Sequence, residues 1–379
     1  MRCSTAVARD VLGNFDERAP MLNTGQAIIS CAGTDVVQSY YLPGDDNDIP
    51  AGGSMSCKSF LTLIREKWKA ETDGNYEHNL AVFETDTPAF LSNNKVYLSM
   101  SYNKQMVKKE LLFSPGEKYL VDGKDVFFKL NRSKNENILI VGGYGSKLDV
   151  SIRAANTTFM SMLPQLDLDS TLIDIVSYQD KSVIELYDAI HNSSKDVCRR
   201  FAKASFLEQP DSIDALLNDI VKDIEDRKGK VAKGIIDQPR LLIIYKTDAN
   251  NQFMMVEEED EYYNKKLVTS EQTRMLLKIL EEGPIVGVFS LLHFAYTDGY
   301  KKVFFESDDD NKLEYFCHRI LLQMSQDDSP KFLNSIINNE ASQLVDNDAG
   351  EEYKYNMALY KNIYDNSESV ILKPYEFLI

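Results

Sequence analysis

Little in this sequence offers ready chemistry. Of its 379 residues only four are histidine, His78, His191, His293 and His318. They form neither an H-x-x-x-H pair nor a pattern with neighbouring Cys, Asp or Glu ligands, so no metal centre is expected. His293 and His318 lie inside apolar runs, where a hydrogen-bonded structural role is the commoner one. The five cysteines, Cys3, Cys31, Cys57, Cys198 and Cys317, are odd in number, far apart and without a C-x-x-C pair. That spacing excludes a disulfide scaffold and fits a reducing cytoplasm. No apolar run approaches the roughly 20 residues of a membrane span. No signal-peptide core follows Met1-Arg2-Cys3-Ser4-Thr5, and no G-x-S-x-G elbow supports acyl transfer.

Positive charge is also short. Lys and Arg number 42 against 59 Asp and Glu, a net charge of −17, and a field of that sign repels phosphate backbones and anionic lipid heads. Non-specific nucleic-acid binding by this chain alone is disfavoured. The acidic runs at 257–261 and Asp308-Asp309-Asp310 read as solvated loops; the functional alternative is that they repel nucleic acid or meet a basic partner. What is present is ordinary: 43% hydrophobic and 27% charged residues, enough for a folded core in one large domain or two.

Residues 2–14 already read as the interior of a domain, and 25–30 as a strand. Pro43, Gly44, Pro50, Gly52 and Gly53, mixed with Asp45, Asp46 and Asp48, mark a linker, so a boundary is expected near residue 42. Phe60, Leu61, Leu63, Ile64 and Trp68 recur at helical spacing within 55–70. A hairpin is expected around Asp122-Gly123, joining 119–121 to 126–128. Ile138-Leu139-Ile140-Val141, stopped by Gly142-Gly143, has the look of a buried strand feeding a loop.

Strands and helices then alternate. Helices are expected at 150–163, 182–191, 212–227, 270–282 and 331–337, and strands at 171–176, 241–245, 286–291, 302–305, 316–324 and 370–372. Such alternation predicts an α/β domain with a largely parallel sheet covered by helices on both faces.

The sharpest local signal is Gly142-Gly143-Tyr144-Gly145-Ser146-Lys147, where a buried strand runs through glycines into a helix, the place of a phosphate-binding loop. The content differs. Set against G-x-x-x-x-G-K-[S/T], Lys147 stands where the last glycine belongs, Leu148 at the lysine and Asp149 at the hydroxyl that would meet Mg²⁺. Two readings stay open: a vestigial strand–loop–helix joint, or residual nucleotide binding through backbone N–H groups and Lys147. A hydrolase also needs an acid at the end of a second apolar strand. There the candidate strand 241–245 ends in Tyr245 and Lys246, with Asp248 displaced unless a bulge restores it. No catalytic residue is therefore assigned, and neither ATP nor Mg²⁺ is expected as a cofactor.

The segment Phe316-Cys317-His318-Arg319-Ile320-Leu321-Leu322-Gln323-Met324-Ser325-Gln326-Asp327-Asp328-Ser329, followed by Phe332-Leu333, Ala341 to Leu344 and Lys373-Pro374-Tyr375, resembles the end of an FtsK/SpoIIIE-type motor domain. The loop at Gly142 and the run Gly283-Pro284-Ile285-Val286-Gly287-Val288-Phe289-Ser290 fall where that family keeps its phosphate loop and a late core strand. The resemblance covers 111–379. A fainter internal match overlays Ser4 on Ser325 and Leu12 on Leu333, as if residues 1–42 were the tail of a similar upstream unit, with 43–110 a linker and small helical/β segment and Met1 inside a longer polypeptide.

The resemblance implies a RecA-like P-loop NTPase fold, ring assembly, and ATP-driven movement of double-stranded DNA or, in secretion relatives, of protein. It implies upstream motor domains of the same or a sister polypeptide as partners, with DNA contacted by the assembled motor. It also implies a cytoplasmic location, with any membrane association coming from missing N-terminal parts of the parent. Gly142, Gly143, Gly145, Ser146 and Lys147 would form a degenerate nucleotide loop. Arg319 would either face a neighbouring subunit's nucleotide or be a surface or sheet-edge arginine. Three functions follow: a non-hydrolytic structural or regulatory unit of a translocase, a weakly ATP-binding motor domain, or a substrate-recognition domain like those of type VII secretion ATPases.

Overall fold

A computed structural model describes residues 26–30, 34–38, 89–103, 110–119, 125–142, 148–166, 171–177, 204–207, 213–259, 265–304, 312–335, 338–344, 357–365 and 369–376, with Met21, Ser59, Thr62, Leu63, Glu66 and Lys67. The chain forms two compact units, Met1–Leu80 and Ala81–Ile379. In the first, β1 (Gln26–Ser30) pairs antiparallel with β2 (Thr34–Gln38), so the strand expected at 25–30 is present. Of the helix expected at 55–70, the described positions are helical and the remainder lies outside the described residues.

The second unit is built on one large sheet. Its strands are β3 (Ala89–Phe90), β5 (Gly116–Lys118), β7 (Ile138–Val141), β8 (Leu172–Ser177), β9 (Ala204–Leu207), β10 (Arg240–Tyr245), β13 (Val288–Phe294), β14 (His318–Leu321), β15 (Ala358–Asn362) and β16 (Val370–Glu376). Across the sheet the order is β3-β16-β15-β14-β7-β13-β10-β8-β9, with β5 added on β16. The six strands from β14 to β9 are mutually parallel. Counting β7, β8, β10, β13 and β14 as first to fifth along the chain, the sheet reads five-one-four-three-two. Two smaller antiparallel pairs stand apart, β4 (Glu110–Phe113) with β6 (Phe128–Asn131) and β11 (Val256–Glu259) with β12 (Lys265–Val268).

Helices cover both faces, which is why β7, β10 and β13 are apolar runs buried at every position. Alternate residues serve opposite layers. Leu139, Val141, Leu242, Ile244, Leu292 and Phe294 pack with α3 (Ile213–Val231), α4 (Glu271–Glu282), α5 (Thr297–Phe304) and α6 (Asp328–Phe332). Ile138, Ile140, Leu241, Ile243 and Leu291 pack with Ile152, Ala155 and Phe159 of α2 (Leu148–Met162). A further helix, α1 (Lys95–Asn103), follows β3. The strand–helix alternation and largely parallel sheet are as expected from sequence.

Several boundaries differ, each for a local reason. Residues 302–304 do not form the expected strand but close α5, whose Tyr300, Val303 and Phe304 share one buried helical face, and residue 305 lies outside the described residues. Of the helix expected at 331–337, residues 331–332 close α6, which starts at Asp328; Asn334 at φ 50° follows it, and 336–337 lie outside the described residues. The strand placed at 286–291 starts at Val288, after a 3₁₀ turn at Pro284–Val286 and Gly287 at φ 82°. Asp122 and Gly123 of the expected hairpin lie outside the described residues; on either side Glu117 and Asp125 form an antiparallel bridge, β4 pairs with β6 and β5 with β16, and a Cβ at Gly116 would strike the Lys373 carbonyl, so glycine permits that last contact. The helix expected at 182–191 lies outside the described residues.

Candidate functional site

In parallel sheets ligands bind beyond the carboxyl ends of the strands, where successive connections leave toward opposite faces. Here β7 exits into α2 on one face and its neighbour β13 exits into α5 on the other. Gly142 sits in the fork, buried, and its N–H donates to the Phe294 carbonyl at 2.8 Å. A Cβ at this position would collide with the Ala295 carbonyl. The glycine thus allows two strand exits to touch, and its donor is already used inside the protein. Gly143, Gly145, Ser146 and Lys147 lie outside the described residues, while Leu148 and Asp149 open α2.

At the end of β10, beside β13, Tyr245 is buried, and burial pushes its phenol pKa far up. Lys246 turns left-handed at φ 45°. Its N–H donates to His293 Nδ1 at 3.1 Å, and His293 Nε2 lies 2.9 Å from Ser151 Oγ in the first turns of α2. Because Nδ1 accepts, the neutral ring carries its proton on Nε2 and donates it to the serine. That tautomer cannot take a proton from Ser151, so the pair is no nucleophile–base dyad. It ties together three strand and helix ends, the structural role expected of this histidine.

Asp248 follows in a 3₁₀ turn, Thr247–Ala249, that carries it past the strand. Its carboxylate abuts α5, where a Cβ at Gly299 would strike it, and its Oδ1 is buried with no hydrogen-bond partner. Burial raises its pKa against the opposing pull of Lys302 and Lys246.

Arg319 requires a correction. It lies neither on the surface nor at a sheet edge but on β14, between β7 and β15, and is 2% exposed. Its guanidinium donates to the carbonyls of Phe316, Leu313 (2.7 Å) and Phe332. Burial pulls its pKa down to about 10, opposed by Tyr300, Tyr364 and Cys317. Buried, with Nε and both terminal nitrogens each donating to the chain's own backbone, it is not placed as an inter-subunit arginine.

The acidic run is partly described: Glu257–Glu259 lie exposed in β11, and Asp308–Asp310 lie outside the described residues. One grouping was not foreseen. Glu136, Cys317 and His318 converge, although 182 positions separate Glu136 from His318. The adjacent Cys317-His318 pair was the visible half of the signal; the other half appears only when β14 lies beside β7, with His318 opposite Ile138. Among the described residues, no helix is long and apolar enough to cross a membrane.

No protein-family model and no curated protein matches the sequence. Solved structures do. The cytoplasmic domain of EssC superposes with a TM-score of 0.50 at 10% identity, over 92% of this chain and 57% of that one. EssC (ATPases 2 and 3) from Geobacillus thermodenitrificans gives 0.48 at 12% identity, over 98% of this chain and 59% of that one. The cytoplasmic domain of the Thermomonospora curvata Type VII secretion ATPase EccC gives 0.46 at 12% identity, over 72% of this chain and 29% of that one. This chain therefore spans under a third of EccC's cytoplasmic domain and somewhat over half of the EssC chains. At 10% identity the first similarity shows a shared fold and nothing further.

Proposed function

We propose that residues 111–379 are a catalytically degenerate FtsK/SpoIIIE-like motor unit, acting as a structural or regulatory part of an ATP-driven translocase. One observation carries this reading: at the carboxyl end of β10 stand a buried Tyr245 and a Lys246 whose amide is committed to His293. Phosphoryl transfer depends on a metal held between a loop hydroxyl and a strand-end acid. Here Asp149 stands at the hydroxyl's place in the sequence, and the nearest acid after β10, Asp248, packs against α5.

In this role the unit keeps one conformation while partner motor domains, of the same or a sister polypeptide, pass through their cycle, and it supplies rigid contacts in a ring or tier. The mutual bonding of the β7, β10 and β13 exits supports such rigidity. The net charge of −17 favours a peptide over DNA as anything this chain itself touches. DNA, if it is the cargo, is contacted by the assembled motor. Titration calorimetry with Mg-ATP tests the reading. The expected outcome is no saturable heat; binding at micromolar affinity would replace it with a nucleotide-binding motor domain.

A further inference from the structure

At the opposite, amino-terminal end of the parallel strands lies a group the nucleotide chemistry does not use. Glu136, Cys317 and His318 each offer one ligand atom, and these atoms lie within 4.8 Å of one another. Cys317 and His318 are 1% exposed and Glu136 is 9%. In a regular strand neighbouring side chains point to opposite faces. Cys317 instead occupies a bend just before β14, and the thiol and imidazole both reach the same carboxylate.

We propose that Glu136, Cys317 and His318 form a buried, three-ligand site for a divalent transition-metal ion of the zinc type. The ion would be bound through the carboxylate, the thiolate and His318 Nε2. Sulfur and imidazole nitrogen select zinc-like ions over calcium or magnesium, which take all-oxygen sets.

The surroundings are those such ligands need. His318 Nδ1 lies 2.8 Å from the Tyr360 hydroxyl, a partner able to fix the ring and leave Nε2 for a metal. Glu136 accepts from Asn131 N–H at 3.0 Å and from Ser133 Oγ at 3.1 Å, which orients its carboxylate. Phe113 meets His318 edge-on at 5.1 Å, and Phe128 stacks on Tyr360, so aromatic walls shield the site. Without an ion, Nε2–H donates to Glu136 at 2.9 Å. On binding, that ring proton moves to Nδ1 and is donated to Tyr360, while the Cys317 thiol loses its proton to solvent as the metal–sulfur bond forms. The ion would then clamp the turn before β7 to the start of β14.

The test uses the full chain, reduced and stripped with a chelator, titrated with Co²⁺. One equivalent is expected, with a sulfur-to-cobalt charge-transfer band that Cys317→Ser removes and Cys198→Ser leaves. Tyr360→Phe should weaken binding about 10- to 100-fold, the usual effect of losing such a supporting partner. A second readout needs no variant: X-ray absorption of the wild-type chain loaded with Zn²⁺ should show one sulfur among nitrogen and oxygen neighbours. Three results each overturn the site: no stoichiometric uptake of either ion, a charge-transfer band that survives Cys317→Ser, or a zinc edge without sulfur. Glu136, His318 and Tyr360 would then be a hydrogen-bonded chain alone.

Discussion

Arg319 has no carboxylate partner among the described residues, so three backbone carbonyls carry the whole of its compensation. A methionine there would fill the space but strand those acceptors. Arg319→Met is expected to destabilise the fold by ~3 kcal/mol, read from urea unfolding, because several buried acceptors lose a charged donor at once. A variant of wild-type stability would show that the guanidinium is not held inside. Acidic residues divide by sign. Burial acts to raise Glu136, but hydrogen bonds from His318, Asn131 and Ser133 outweigh it and hold its pKa low. Its contribution is therefore present above the ordinary carboxylate range and lost as pH falls through the lowered folded value. Burial raises Asp248, so its ionisation costs stability as pH climbs through its folded pKa. Asp248→Asn should be more stable than wild type at neutral pH, with the gain vanishing in acid; a gain that persists in acid would contradict the assignment.

Among the elements, α4 was legible because its signals agree. Ser270 caps it by accepting from the Thr273 N–H, Leu276, Ile279 and Leu280 share the buried face, and Gly283-Pro284 closes it. α5 was misread because Val303 and Phe304 look like a β-branched and aromatic run when Tyr300, one turn earlier, is left out. The apolar strand that runs into Gly142 was legible. That this glycine serves a contact between β7 and β13 was not, because Ala295 is 153 positions away. Gly142→Ala is expected to cost ~1–3 kcal/mol by forcing those two exits apart, as overpacking does. Thermal unfolding measures it, and an unshifted transition would mean the exits can separate freely.

At the scale of the molecule, hydrophobic runs and their order announced a parallel sheet with two helical layers, but no run states its neighbours. The five-one-four-three-two order had to be seen, and it is this order that sets Tyr245, His293 and Ser151 together at the carboxyl ends of the strands and Glu136, Cys317 and His318 at their amino ends. The second cluster was invisible for the same reason Arg319 was misplaced: burial of a charged or ligating side chain depends on which strands flank it. The absence of an acid at the last position of β10 and the one after it was readable directly, since it needs only Tyr245, Lys246 and the strand before them. The proposal of a unit that keeps a motor's scaffold without its hydrolysis rests there. Steady-state phosphate release from Mg-ATP by the full chain tests it most directly: release no faster than in buffer is the expected result, and saturable turnover that rises in proportion to protein concentration would contradict it.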